Sequence, residues 1–293
     1  MKYRVIHTTQ YLYSEPVSLC HNEARFAPRT FASQVCQSSQ LAIEPRPSAL
    51  REREDFFGNR VSYFAIQQLH EQLTITATSD VQVHPVDGTP DLSIYGPWDT
   101  VREQLQGTTA PDFVEARPFV LESPLVPIAP DFARYAERSF SVGRPLLEAV
   151  YNLMQRIHQD FDYVPGFTTV TTPLLTVLKH RRGVCQDFAH LAIACLRAMG
   201  LAARYVSGYL ETLPPPGKER LVGADASHAW FSIYVPGNGW IDFDPTNNAM
   251  PTDRHITVAW GRDYADVVPL KGVIFGGGKH QLFVSVDVTD LES

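Results

Sequence analysis

Cysteine is scarce in this chain of 293 residues: four thiols, Cys20, Cys36, Cys185 and Cys195, with no CxxC pair among them. That is too few for a disulfide scaffold and the wrong spacing for a structural zinc site. A basic surplus is also missing. The 25 Lys and Arg stand against 32 Asp and Glu, a formal charge of −7, which disfavours a general binder of nucleic-acid backbones. No apolar run approaches the roughly 18 residues of a membrane helix, and Met1-Lys-Tyr-Arg-Val-Ile-His7 has no apolar segment of signal-peptide length. The expectation is a cytoplasmic protein with reduced thiols and no membrane partner. Rossmann and P-loop glycine fingerprints are absent, so no cofactor is expected. No His-x₃-His or paired-carboxylate pattern supports a metal shared by Cys185, His180 and His228, so none is expected either.

What is present is ordinary globular material, 44% hydrophobic and 19% charged, enough for one large domain or two smaller ones. Residues 1–85 read as strands. Tyr3, Val5 and His7 alternate with Arg4 and Ile6, and Leu73-Thr-Ile75-Thr-Ala77 and Val81-Gln-Val83 repeat the period of two. Gly58-Asn59 between two apolar runs signals a hairpin. An antiparallel, sandwich-like β domain is the simplest solution. Over 86–130 seven prolines accumulate and the pattern weakens. This reads as an irregular connecting segment, although Trp98, Phe113, Phe119 and Leu121 still need burial.

Residues 131–293 read as a second domain. Leu146, Val150, Leu153, Met154 and Ile157 mark one helix face after Pro145. A second helix starts after Gly183, with Phe188, Leu191, Ala192, Cys195 and Met199 as its apolar stripe and Gly200 as its stop. Strands are predicted at 203–210, 227–235, 240–244 and 283–288. Pro214 to Arg220 reads as an exposed polar loop.

Cys185 falls on the first turn of that second helix. Unpaired N–H groups and the helix dipole there favour a thiolate. Residues 188, 189, 192 and 196 share its apolar face, so the sulfur is expected to point inward. A buried structural thiol is the bland alternative, and possible partners decide between them. In Ser227-His228-Ala-Trp230-Phe-Ser232-Ile-Tyr234, alternation puts His228, Trp230, Ser232 and Tyr234 on one strand face. A three-residue loop in Pro236-Gly-Asn-Gly239 pairs Val235 with Gly239 and brings Asp244 diagonally beside His228. An even loop would put Asp244 behind the sheet. In the favourable register His228 takes the Cys185 proton, Asp244 orients the ring, and the Cys185 N–H is an oxyanion donor.

Gly183-Val-Cys185-Gln-Asp-Phe-Ala-His190, then Gly200-Leu-Ala-Ala-Arg204-Tyr-Val-Ser-Gly-Tyr209, Ser227-His228-Ala-Trp230 and Asp244-Pro-Thr246 resemble the transglutaminase-like core. The narrower likeness is to bacterial transglutaminase-like proteins of the cysteine-protease type. The motifs stand in order, with spacings of 43 and 16 residues between Cys185, His228 and Asp244. The resemblance covers about 145–247. The strand-rich first 85 residues are similar to the family's preceding β domain, and 261–278 to its C-terminal part. It implies an α+β, papain-like arrangement, with the nucleophile helix on an antiparallel sheet, and Cys185, His228 and Asp244 as a catalytic triad. The implied substrate is a peptide or protein amide; the implied reaction is acyl transfer through a thioester, ending in hydrolysis or crosslinking. An arylamine N-acetyltransferase using acyl-CoA and a non-catalytic binding scaffold are the alternatives.

Other residues receive structural assignments. Trp230, Tyr209 and Tyr264 are candidate linings of a substrate groove. Asp242 is the fallback orienter of His228. Asp187 is expected to favour the helix start or hold the neighbouring loop, His190 to partner a loop or the surface, and Cys195 to pack in the core. Cys20 and Cys36 are expected to pack together without a bridge. Whether the N-terminal sheet caps an edge, recognises a partner, gates substrate or closes an oligomer stays open.

Overall fold

The computed structural model describes residues 1–84, 91–212 and 227–292. The loop expected at 214–220 and the prolines at 85 and 90 lie outside them. The N-terminal unit is built around β1, Lys2–Ala24. Along its first half β1 lies between β5 (His70–Val83) and β13 (His280–Asp290), with β2 (Gln34–Glu44) beyond β5. Along its second half it lies between β4 (Arg60–Ile66) and β12 (Leu270–Gly276), with β3 (Ala49–Glu54) beyond β4. All these ladders are antiparallel. Against β12 the register slips between Val17 and Leu19. Such an extra residue reverses which side chains face inward. Tyr3, Val5, His7, Thr9 and Val17 are therefore buried before it, and Cys20, Asn22 and Ala24 after it. The two halves enclose a small core containing Val17, Cys20, Ile43, Phe64, Ile66, Leu73 and Ile75.

Two boundaries differ from the sequence reading. The strand expected at 283–288 forms within β13, but β12 and β13 pair with β1 and not with the core sheet. The last strands of the 131–293 segment thus complete the N-terminal unit. Residues 91–130 are not irregular: they form α1 (Trp98–Gly107), α2 (Pro111–Ala116) and short 3₁₀ turns, followed by α3 (Pro130–Glu137). Pro97 caps α1, and Pro111 and Pro130 occupy the first turns of α2 and α3, where a missing N–H costs nothing. Trp98, Phe113 and Phe119 are buried as expected; Leu121 is exposed.

The second unit places α4 (Leu146–Asp160) and α6 (Cys185–Ala198) in one hydrophobic core. Its four-stranded sheet runs in the order β10 (Gly239–Phe243), β9 (Ser227–Val235), β8 (Ala203–Leu210), β11 (His255–Gly261). Between α4 and α6 lie β6 (Asp162–Tyr163), α5 (Leu174–His180) and β7 (Arg182–Gly183), and α7 (Tyr264–Val267) follows β11. Tyr205 on β8 meets His190 on α6, with ring centroids 4.8 Å apart.

The free edge of β11 is closed by amide side chains from the N-terminal unit. Gln34 donates to the Thr257 carbonyl and accepts from its N–H, both at 2.8 Å. Asn59 does the same at Trp260, at 2.8 and 3.0 Å. Side-chain amides thus stand where another strand would pair. The N-terminal unit does cap a sheet edge.

Candidate active site

α6 begins at Cys185 because the Asp187 carboxylate closes its first turn. Asp187 Oδ2 accepts from the Val184 N–H at 2.8 Å and from Thr168 Oγ1 at 2.6 Å. This is half of a capping box, with Asp187 at the third helical position. Burial raises the Asp187 pKa, against these two hydrogen bonds. Gly183 is required beside it: a Cβ there would meet Asp187 at 2.7 to 2.8 Å. Cys185 is half-buried against the core, whereas Cys195, one helix face away, is fully buried and its thiol pKa is pushed up by burial. Burial raises the phenol pKa of Tyr163 and Tyr205, and both lie close enough to Cys185 for a thiolate there to add to that rise.

The register of β9 and β10 is the one with a three-residue loop. Val235 pairs with Gly239, Ser232 with Asp242 and Phe231 with Phe243. Asp244 therefore emerges beside His228, and His228 Nε2 donates to Asp244 Oδ2 at 2.7 Å. With Nε2 committed to Asp244, Nδ1 is the ring nitrogen left free for the neighbouring Cys185 thiol, whose proximity helps raise the ring's pKa. Burial lowers the His228 pKa, but the hydrogen bond with Asp244 and the nearby Cys185 outweigh it and raise it to about 10. The ring holds its proton at neutral pH.

Asp244 is fully buried and heavily satisfied. Oδ2 also accepts from His255 Nε2 at 3.0 Å and Asn247 Nδ2 at 2.6 Å; Oδ1 takes the N–H groups of Thr246 and Asn247 at 2.9 and 3.2 Å. Burial would push this carboxyl up, but the two histidines hold it well below the usual range. His158, in the last turn of α4, hydrogen-bonds the Thr246 carbonyl at 3.0 Å and pins the turn. The sequence reading missed His255 and Asn247. His255 opens the β-branched run His255-Ile-Thr-Val, readable as a strand, but its place beside Asp244 depends on pairing with Leu210. His228, Asp244 and His255 hold their ligand atoms within 4.8 Å of one another. These three could chelate a cation; as placed, both imidazoles instead donate to the shared carboxylate.

The remaining assignments divide. Trp230 is fully buried, its Nε1 donating to Asp242 at 3.0 Å, and so cannot line a groove. Tyr209 is also buried; its hydroxyl hydrogen-bonds His7 of β1 at 2.9 Å, at the junction of the two units. Alternation put Trp230 on the face of His228 and Ser232, but did not say what covers it. Tyr264 is half-buried and packs near Tyr205, with centroids 6.2 Å apart. Asp242 takes Trp230 and Ser232 and leaves His228 to Asp244. His190 is buried and accepts from the Tyr264 N–H at 3.1 Å, so its partner is the start of α7 instead of a loop or the surface. Asp187 holds the helix start and the 168 loop. Cys20 and Cys36 do not pack together. Cys36 and Tyr3 both pair with Val81, so Cys36 sits at the start of β1, far along the strand from Cys20.

Residues 3–82 match the bacterial transglutaminase-like N-terminal region, and residues 133–245 the transglutaminase-like superfamily. An uncharacterized protein of Mycobacterium tuberculosis is 44% identical over 301 residues, covering 99% of this chain and 93% of its own. One of Mycobacterium leprae is 35% identical, covering 98% of each. A protein-glutamine gamma-glutamyltransferase of Pseudomonas aeruginosa is 39% identical over 103 residues, 34% of this chain and 15% of that protein. A solved structure described as a candidate cysteine protease, from Cytophaga hutchinsonii, has the same fold, with a TM-score of 0.74 at 21% identity over 100% of this chain and 91% of that one. The curled β domain, the helix-on-sheet core and their matches together make this chain a member of the transglutaminase-like superfamily, carrying that family's bacterial N-terminal region.

Proposed function

We propose that the protein is a thiol enzyme performing acyl transfer on an amide, with Cys185, His228 and Asp244 as its triad. The observation that carries this reading is the His228–Asp244 pair, with Asp244 Oδ2 on ring Nε2 at 2.7 Å, together with a neighbouring Cys185 thiol that helps raise the ring's pKa. An imidazole charged at neutral pH beside a sulfur on a helix start suits a thiolate–imidazolium pair. The sulfur attacks the carbonyl carbon and the Cys185 N–H meets the developing oxyanion. The C–N bond breaks, His228 gives its proton to the departing amine or ammonia, and a thioester remains. His228, now neutral, takes a proton from water as it attacks. The acid and the free thiol are released.

Hydrolysis is the proposed outcome; an amine in place of water gives crosslinking. The substrate is a peptide or protein amide, met at a surface where Tyr163, near Cys185, is 53% exposed. The likeness to a glutamyltransferase supports amide chemistry in this core. No helix among the described residues is long and apolar enough to cross a membrane. A reducing, cytoplasmic setting belongs to the proposal because it keeps the nucleophile unoxidised. The test is mass spectrometry after incubation with a peptide library. A mass increment on Cys185 matching an acyl group, with release of ammonia or an amine, is the expected result. No adduct, together with no preferential iodoacetamide labelling of Cys185 at pH 6, would leave a binding scaffold instead.

A further inference from the structure

A cavity of about 980 Å³ opens between the core sheet, the Phe31–Ser33 and Phe56–Phe57 loops of the N-terminal unit, and α2. Neither Cys185 nor His228 lines it. At its floor is Arg204, a residue the family resemblance includes but the proposed chemistry does not use. Arg204 pairs across β8 and β9 with Ser232, so it points away from Tyr205 and α6. Its guanidinium lies 3.8 Å from the Trp260 ring centroid and 4.5 Å from that of Trp240. Arg29 covers the Trp260 ring as well, at 3.5 Å.

This packing fixes the direction in which Arg204 can bind. Two indoles stack against the cation, and Nε is spent on Ser232 Oγ at 3.3 Å, so the Nη edge is what remains. Among the described residues no carboxylate comes within ion-pair distance of Arg204, which is only 8% exposed. The nearby carboxylate of Asp242 is occupied by Trp230 Nε1 and Ser232 Oγ. Asp242 therefore acts on the guanidinium only through space and at one remove through Ser232 Oγ, without pairing directly with its Nη edge; burial outweighs that charge and draws the Arg204 pKa down to about 9. A planar guanidinium presenting one edge matches a carboxylate bidentately. Phe57, Phe119 and Tyr95 offer aromatic walls for whatever carries it.

We propose that this cavity is a second binding site, taking a small carboxylic acid with an apolar or aromatic body, and that Arg204 is its anchor. The volume lies in the range of small-molecule pockets, roughly 300–1,000 Å³. Glu115 and Asp242 also line it, so a singly charged carboxylate suits the site better than a phosphate dianion.

The test is isothermal titration calorimetry on the full chain carrying Cys185→Ser, which keeps binding separate from turnover. The probes are N-acetyl-phenylalanine and N-acetyl-leucine, each as free acid and as amide. The acids are expected to bind once per chain, with Kd of about 1 mM or tighter, and the amides at least about tenfold more weakly. That ratio corresponds to one charge-assisted hydrogen-bonded pair. Arg204→Gln and Ala32→Trp are each expected to weaken the acids about tenfold or more. The second fills the rim from an exposed position and serves if the first does not fold. Equal binding of acid and amide, no binding of either acid up to about 10 mM, or acid binding that survives Ala32→Trp would overturn the proposal. These outcomes leave the acyl-transfer reading untouched, because no step of it passes through Arg204.

Discussion

Cys185→Ser removes the nucleophile and little else, because the side chain is half-buried and near the same size. Activity on any amide found to be a substrate is expected to fall by about 10³-fold or more, while the thermal midpoint moves by no more than a few degrees. A loss below tenfold would place the chemistry elsewhere. Asp244→Asn probes the charge on the ring. At present the alkaline limit of activity should lie near pH 10, where the His228 imidazolium is lost. Without the carboxylate, burial acts on the ring less opposed, and that limb should move to lower pH by at least about one unit in a kcat/KM profile. An unmoved limb would mean that His228 is not the titrating group. The relation of His228 to Asp244 was legible because it depends only on the residues between them. That of His255 was not, since a strand pairing 45 residues away in sequence sets it.

Elements carry these side chains, and their starts and turns are where small changes tell. Asp187→Ala leaves the Val184 N–H and Thr168 hydroxyl without an acceptor. It is expected to cost about 1–2 kcal/mol in urea unfolding, with Asp187→Asn recovering part. Deleting Asn238 shortens the β9–β10 loop by one residue, turning Asp244 away from His228 if the pairing persists. Activity should then vanish while circular dichroism is retained; activity at the wild-type level would refute the register argument. The helix containing Cys185 and strands β8, β9 and β10 could be read from local pattern and loop length. Helices α1, α2 and α3 were hidden because prolines that start a helix look, in sequence, like prolines that prevent one. The strand at 283–288 was placed in the second domain, and that at 270–276 was not read, for a different reason: alternation marks a strand but not its partner, and β1 lies about 250 residues or more away in sequence.

Over the whole molecule, the dependence of stability on pH follows from which histidines are buried and with what. His7 joins β1 to Tyr209 of the core, and His190 lies between α6 and the start of α7. Burial lowers both to a pKa of about 4 from an ordinary 6.5. Between those values the unfolded chain binds protons that the native protein does not, so stability falls as pH drops from 6.5 toward 4. With both rings contributing, the slope approaches about 3 kcal/mol per pH unit in mid-window. His228 works in the opposite sense. Its raised pKa gives a contribution fully present below pH 6.5 and lost as pH climbs to about 10. Asp244, held low, contributes above the ordinary carboxylate range and loses that contribution only below it. The urea midpoint should therefore peak between about pH 6.5 and 7 and fall on both sides. His7→Gln should reduce the acid slope by about half and leave the alkaline fall unchanged. A midpoint constant from pH 4.5 to 6.5 would show that the junction between the two units does not depend on a neutral His7.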